Sequence, residues 1–231
     1  MKNIKKIVAL TGAGISAESG ITTFRDSGGL WENYDVMEVA SIDGWRKNPE
    51  LMLRFYNDRR KQLAEVEPNA AHRILAELEK DFDVTVVTQN VDNLHERGGS
   101  TKIIHLHGEL TKARSEIDPN MVTDIGYRAI ELGEKAEDGT QLRPQVVWFG
   151  EAVPLIATAA QLVSKADIVV IIGTSLNVYP AAGLVGYAAT HTPIYLIDPN
   201  EVAYSGKNIT VIRDKATTGM EKFKDILLKL V

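Results

Sequence analysis

Cysteine is absent from this chain of 231 residues. That excludes disulfides, a thiol nucleophile and any zinc site built on thiolates. The five histidines, at positions 72, 95, 105, 107 and 191, are too scattered to rebuild one, and no metal is expected. Basic residues are not in excess either: the formal net charge of −5 gives nucleic acid no bulk attraction. No apolar run approaches the roughly 18–20 residues of a membrane span. The amino-terminal stretch MKNIKKIVALTGAG puts lysines ahead of apolar residues, but that run is too short for a signal-peptide core and ends in glycines. It reads as a strand, and the cytoplasm is the expected compartment. Repeats and low-complexity tracts are missing. What remains, 44% hydrophobic and 25% charged, is an ordinary globular composition, long enough for one large α/β domain with a small inserted module. Neither a nucleic-acid nor a membrane partner is expected, and the chain is expected to be a monomer.

Short apolar runs rich in β-branched residues place strands at 5–10, 83–88, 102–106, 145–148, 167–173, 193–197 and 208–212. Their near-continuous apolar character is that of strands buried on both faces, as in a parallel sheet. Helices are expected at 49–65, 68–80, 91–98, 154–164, 180–189 and 215–230. In the last, Met220, Phe223, Ile226, Leu227 and Leu230 recur at helical spacing. The alternation predicts a doubly wound, mostly parallel, Rossmann-like α/β fold with ligands at the carboxyl ends of its strands. Two segments break the alternation: 35–70, largely helical, and 113–143, polar and charged. They are expected to be insertions that build a small domain, with 1–34, 71–112 and 144–231 forming the large part of a single domain spanning 1–231.

Residues 12–26 read GAGISAESGITTFRD, directly behind the apolar run Ile7-Val8-Ala9-Leu10. A strand feeding a glycine turn that opens a helix presents backbone N–H groups to a pyrophosphate. Gly12, Gly14 and Ala17 fit the dinucleotide pattern G-x-G-x-x-G/A, and a side chain at either glycine is expected to collide with phosphate. A tight βα turn without a ligand would look the same. A dehydrogenase would continue into a long amphipathic helix, a second strand and an acidic residue about 20 positions on. Here Ile21 to Tyr34 lacks an apolar stripe and reads as a loop lying over the ligand. In it Arg25 can meet a pyrophosphate or ribose oxygen, and Phe24 offers an aromatic face to a cationic sugar.

Three further stretches follow in order: Thr88-Gln89-Asn90-Val91-Asp92-Asn93-Leu94-His95, His105-Leu106-His107-Gly108 and Gly173-Thr174-Ser175. Together with the glycine turn they resemble the signature of the sirtuins, NAD-dependent protein deacylases, and the resemblance covers nearly the whole chain. It implies NAD as cofactor, acyl-lysine proteins as substrates, and a cleft between the large part and the two insertions. It also implies cofactor contacts from Gly12, Ala13, Gly14, Ile15, Ala17, Glu18, Phe24, Arg25, Trp31, Gln89, Asn90, Val91, Asp92, Gly173, Thr174, Ser175, Asp198, Pro199, Asn200 and Ala216. Asp198 departs from the asparagine most relatives carry: a carboxylate accepts from a ribose hydroxyl but cannot donate. Thr22 stands where many have proline. Typical sirtuins also hold four zinc-binding cysteines in the interval that here runs from Ala113 to Arg143. Ser115 falls near the first of them, and zinc is not expected.

Cutting nicotinamide from ribose needs the carboxamide gripped and the sugar's positive charge stabilised. Asn90 and Asp92 offer amide and carboxylate partners, and Gln89 can reach a ribose hydroxyl. Either Asn90 or Asp92 would serve equally as an N-cap of the helix that follows. His105 and His107 share a strand face, so periodicity cannot choose between them. Gly108 marks the strand end and favours His107, which matches the family's catalytic histidine, a general base for a ribose hydroxyl. Two core histidines bonded to backbone are the plainer alternative. The stretch Arg143 to Glu151 resembles the family's substrate strand, with Val147, Trp148, Phe149, Gly150 and Glu151 against an acyl-lysine peptide.

Tyr56 and Arg59 lie at i,i+3 on the helix 49–65, and phenol with guanidinium suits a carboxylate. One sirtuin subclass uses such a pair, beside a small alanine matched here by Ala40, to read succinyl- or malonyl-lysine. A solvated Arg59-Arg60-Lys61 face is the alternative. The resemblance implies a deacylase (deacetylase, desuccinylase and demalonylase) that releases nicotinamide, free lysine and 2′-O-acyl-ADP-ribose, with Asn90 and His107 catalytic. A mono-ADP-ribosyltransferase or NAD hydrolase on the same site, and a silent NAD-binding sensor, are the competing readings.

Overall fold

The computed structural model describes residues 4–22, 30–31, 34–202 and 208–229, with residues 30 and 31 described by backbone alone. In chain order the elements are β1 (Lys6–Thr11), α1 (Gly14–Ala17), β2 (Leu30–Trp31), β3 (Tyr34–Asp35), α2 (Val36–Val39), α3 (Ile42–Lys47), α4 (Pro49–Glu65), α5 (Ala70–Leu78), β4 (Asp83–Thr88), α6 (Leu94–Gly98), β5 (Ile103–His105), β6 (Gly108–Ser115), β7 (Val122–Asp124), β8 (Leu142–Val146), α7 (Ile156–Ser164), β9 (Ile168–Ile172), a 3₁₀ helix (Ala181–Tyr187), β10 (Ile194–Ile197), β11 (Ile209–Ile212) and α8 (Ala216–Leu228).

The main sheet has six strands in the order β11-β10-β9-β1-β4-β5, all parallel. From β1 the chain runs outward through β4 to β5, then returns to the other side of β1 with β9. That reversal between β1 and β9 is the topological switch point of a doubly wound sheet. Period two divides β1 between the faces: Ile7 and Ala9 enter one core with α5 and α8, while Val8 and Leu10 enter another with α7 and the 3₁₀ helix. All five residues of β9 are buried, as two covered faces require.

Local chemistry sets the helix starts. Asn48 accepts the Leu51 N–H ahead of Pro49, which opens α4 at a position that needs no donor. Asn69 accepts from Ala71, and its own N–H is taken by the His72 ring, closing a capping box on α5.

A third core gathers Trp45, Met52, Phe55 and Tyr56 of α3 and α4 with Leu110, Ala113, Leu142 and Val146 of an antiparallel sheet ordered β7-β6-β8. Here the structure departs from the sequence reading. The strand expected at 145–148 is β8, and it pairs antiparallel with β6 instead of joining the main sheet. Neither β6 nor β7 was expected. In β6 the charged Glu109, Lys112 and Arg114 interrupt the apolar pattern, and its register with β8 slips between Glu109 and Ala113. The segment 180–189 is 3₁₀, not α. Arg60, wholly buried on α4, ties this core together: Nε donates to the Leu110 carbonyl at 2.7 Å and Nη1 to Asn57 at 2.6 Å.

Candidate active site

The carboxyl ends of β1, β4, β9 and β10 open onto one cavity of about 650 Å³. Gly12 and Gly14 sit at its floor. A Cβ on Gly12 would lie 2.7 Å from Thr174 Cβ, and one on Gly14 would lie 2.6 Å from Gly173 Cα. The Gly12 N–H donates to Ile172 O at 3.0 Å and the Gly14 N–H to Gly173 O at 2.8 Å. The protein's own backbone therefore demands these glycines, where the sequence reading invoked a phosphate. Gly173 itself has φ +61°, a conformation that favours glycine.

Asn90 and Asp92 follow β4 on the same wall. The Asn90 amide donates to Gly12 O and to Ser16 Oγ, each at 3.2 Å. Asp92 is buried: Oδ2 accepts the Ser16 hydroxyl at 2.9 Å and Oδ1 accepts the Leu94 N–H at 3.1 Å. Neither Asn90 nor Asp92 is the N-cap of α6, which is Asn93; Asp92 bonds the Leu94 N–H from one residue further out while also lining the cavity. Burial raises its carboxyl pKa, against the lowering effect of those two bonds. Behind Ser16 stands His72. Its Nδ1 faces the Asn69 N–H, so Nε2 carries the hydrogen and points at Ser16 Oγ, 3.5 Å away.

His107 lines the cavity and His105 does not. The His107 Nδ1 lies 3.0 Å from Gln89 O. A carbonyl only accepts, so Nδ1 is protonated and Nε2 is the basic atom. Burial lowers the His107 pKa, partly opposed by that carbonyl. His105 spans Asn90 O at 3.1 Å and Glu96 Oε1 at 2.7 Å. Burial works against its charge, yet the Glu96 hydrogen bond and the charges of Glu96 and Glu109 outweigh it and raise the His105 pKa.

Ala40, Tyr56 and the run Val146 to Glu151 also wall the cavity. The Trp148 indole donates to the Tyr56 hydroxyl at 2.8 Å. Arg59, paired with Tyr56 in the sequence reading, is buried away from the cavity wall. Its guanidinium lies over the Phe55 ring at 3.8 Å, and Nη1 donates to Phe55 O.

Ala13, Ala17, Glu18, Gln89, Val91, Gly173, Thr174, Ser175, Asp198, Pro199, Asn200 and Ala216 also line the cavity. Glu18 at the same time accepts both the N–H and the hydroxyl of Thr217 at 2.9 Å, fastening the start of α8. Ile15 is a correction: its side chain is buried in a core of the main sheet, because it opens the short α1 on the sheet side. Phe24 and Arg25 lie outside the described residues, and of Trp31 only the backbone, paired with Tyr34, is described. Sequence reasoning missed Ser16 and His72. A small hydroxyl one turn past the glycines, and a histidine in a capping box, were the available signals.

A Rossmann-ordered parallel sheet, with a glycine turn and a ligand-sized cavity at its switch point, defines a dinucleotide-binding α/β protein. The Sir2 family model matches residues 12–180, and the chain belongs to the Sir2 family. It is 57% identical over 231 residues to a protein of Bacteroides thetaiotaomicron named NAD-dependent protein deacylase, covering 97% of this chain and 99% of that one. A protein of the same name from Helicobacter pylori is 55% identical over 232 residues, covering 99% and 98%. Among solved structures, a complex of a Sir2 homologue with NAD superposes with TM-score 0.87 at 38% identity, covering 98% of this chain and 90% of that one. A Sir2 complex with a p53 peptide and NAD+ gives 0.81 at 28%, covering 96% and 93%.

Proposed function

We propose that the chain is an NAD-dependent protein-lysine deacylase. The observation that carries this is His107: its Nε2 is left basic on the cavity wall by the Gln89 carbonyl, in the same cavity as Asn90 and Asp92. The cavity suits NAD by size, by the backbone-tight glycine floor and by an amide and a carboxyl fixed at one end. When bound, NAD supplies an electrophilic ribose carbon with nicotinamide as leaving group, and takes the acyl group as 2′-O-acyl-ADP-ribose. Asn90 and Asp92 hold the carboxamide end, and the pKa-raising burial of Asp92 suits a neutral partner. His107 Nε2 takes the proton of a ribose hydroxyl. Gln89, Thr174, Ser175, Asp198 and Ala216 run along the remainder of the dinucleotide. The segment Val147 to Glu151, which lines the cavity, receives the peptide, and the solved complex of a relative with a p53 peptide supports a peptide substrate. Cytoplasmic action on proteins fits this reading.

Among acyl groups, we infer a capacity for succinyl and malonyl as well as acetyl. Ala40 leaves room beside the Tyr56 hydroxyl on the cavity wall. Reading a carboxylate further requires Arg59 to swing off Phe55. The test is a kcat/KM panel on acetyl, succinyl and malonyl peptides. His107→Ala is expected to abolish turnover with NAD still bound. Arg59→Met is expected to cost about tenfold or more on the acidic acyl groups alone. Failure of wild-type protein to remove any of the three would sink the proposal, and equal losses across the panel would remove Arg59 from it.

A further inference from the structure

Arg143 is only 1% exposed, yet the chemistry above leaves it without a task. Its two terminal nitrogens grip Glu151, at 2.8 Å to Oε1 and 3.0 Å to Oε2, and Nη2 also donates to Val146 O at 3.0 Å. Arg114 adds a second cation on Glu151 Oε1 at 2.9 Å. Glu151 Oε2 in turn accepts the backbone N–H of Trp148 at 2.9 Å. The Arg143 guanidinium carbon lies 3.4 Å from the centre of the Trp148 ring, and the Trp45 ring stands 5.3 Å from it, centre to centre.

An ion pair removed from water is a poor source of stability, since its desolvation offsets its attraction. What this one does achieve is geometric. A bidentate fork and a stacked cation fix the Trp148 ring in rotation and depth. The indole N–H is then aimed at the Tyr56 oxygen, 2.8 Å away. Indole can only donate, so the phenol accepts and its own hydrogen stays free to donate. Tyr56 lines the cavity and is thereby left able to donate there.

Resting on the acyl-lysine reading, we propose that Arg143 and Glu151 are positioning residues for the acyl pocket, acting through Trp148 to hold the Tyr56 hydroxyl as a donor toward the acyl group. An acyl chain ending in an acceptor satisfies that donor, whereas a plain alkyl end leaves it unpaired.

The test combines kinetics with the Trp148 indole N–H resonance of the full chain, assigned by its disappearance in Trp148→Phe. Arg143→Lys keeps the charge but loses the fork. It is expected to move that resonance and to raise KM for succinyl peptide about tenfold, with KM for NAD changed less than about twofold. In a Tyr56→Phe background the same substitution is expected to add nothing to the succinyl KM, because the two act through one group. Should Arg143→Lys fail to fold, Trp148→Phe removes the donor while keeping a ring under the Arg143 guanidinium and the backbone N–H on Glu151, and is expected to give the same selective loss. An unmoved resonance, a KM loss shared with NAD, or additivity with Tyr56→Phe would each overturn the proposal. Failure of the deacylase reading shows separately, as wild-type protein that turns over no acyl peptide.

Discussion

His105 and His107 stand two residues apart, yet their surroundings shift their pKa values in opposite directions. Burial opposes charge on His105, but Glu96 and the Asn90 carbonyl both accept from its ring and, with the Glu96 charge, raise its pKa and favour the cation. Among the described residues His107 meets one carbonyl and no carboxylate, and burial lowers its pKa and favours the neutral ring. A base must be unprotonated to act, so kcat/KM for deacylation is expected to rise with pH through an apparent pKa below the ordinary histidine value of 6.5, then level off. A profile whose acid limb sits above that value would assign the base elsewhere. The glycine turn makes a second residue-level point. In Gly14→Ala the new carbon meets Gly173 backbone 2.6 Å away, and backbone cannot rotate aside as a side chain can. The variant is expected to lose upwards of about 2 kcal/mol in urea unfolding and to bind NAD more weakly. Unchanged stability would show that the two strand ends separate freely.

Among the elements, the end of β6 shows what stands where typical relatives place zinc ligands. Ser115 is wholly buried and its hydroxyl is the hub: it donates to Asp138, and accepts the N–H groups of Ile117 at 3.1 Å and Asp118 at 3.0 Å. Asp138 also accepts the Thr140 N–H and hydroxyl. Ser115→Ala strands two backbone donors, and is expected to cost about 1–3 kcal/mol by urea unfolding. A chelator is expected to leave Tm unchanged; a stoichiometric bound zinc would contradict that. This region is also where the sequence was least legible. Strands of the main sheet announce themselves because burial on both faces demands unbroken apolar runs such as Ile168 to Ile172. The polar β6 and β7 carry no such mark, and β6 is placed by packing against α3 and α4, far away in sequence. Site residues divide the same way. Gly12, Asn90, Asp92 and His107 stood out because each follows shortly after a strand and falls in one of the family's motifs, whereas the retreat of Ile15 into the core follows from packing that no local pattern encodes, and that of Arg59 onto Phe55 is an i,i+4 contact that competes with the pairing to Tyr56.

Across the molecule, the site and the core share one buried polar seam. His72 and His95 are fully buried and their rings meet edge to face at 4.9 Å. His95 contacts Thr11 of β1 through Nε2 at 3.0 Å, and His72 reaches Asp92 by way of Ser16. Burial pushes the His72 pKa down from 6.5 to about 4, with Arg73 adding to the shift and Glu96 opposing it. The His95 pKa is lowered well below 6.5 by burial and by His72 and His105. A cationic acid whose folded pKa is depressed binds fewer protons folded than unfolded. Its penalty therefore begins as pH falls through about 6.5 and stops growing below its folded pKa. The slope for one histidine approaches about 1.4 kcal/mol per pH unit, so His72 alone is expected to cost about 2 kcal/mol between pH 7.5 and pH 5. Two neighbours behave otherwise. His105, with a raised pKa, contributes stability that is fully present below about 6.5 and fades as pH rises through its folded value. The raised pKa of Asp92 makes acid favour the folded state. A bare pH curve mixes these terms, so the comparison must be with His72→Gln, which cannot titrate. Wild type is expected to lose about 2 kcal/mol more than this variant on going from pH 7.5 to pH 5, measured by urea unfolding. Parallel losses would mean that His72 takes its proton in the folded state, and the hydrogen-bond order from Asn69 through His72 and Ser16 to Asp92 would have to be reversed.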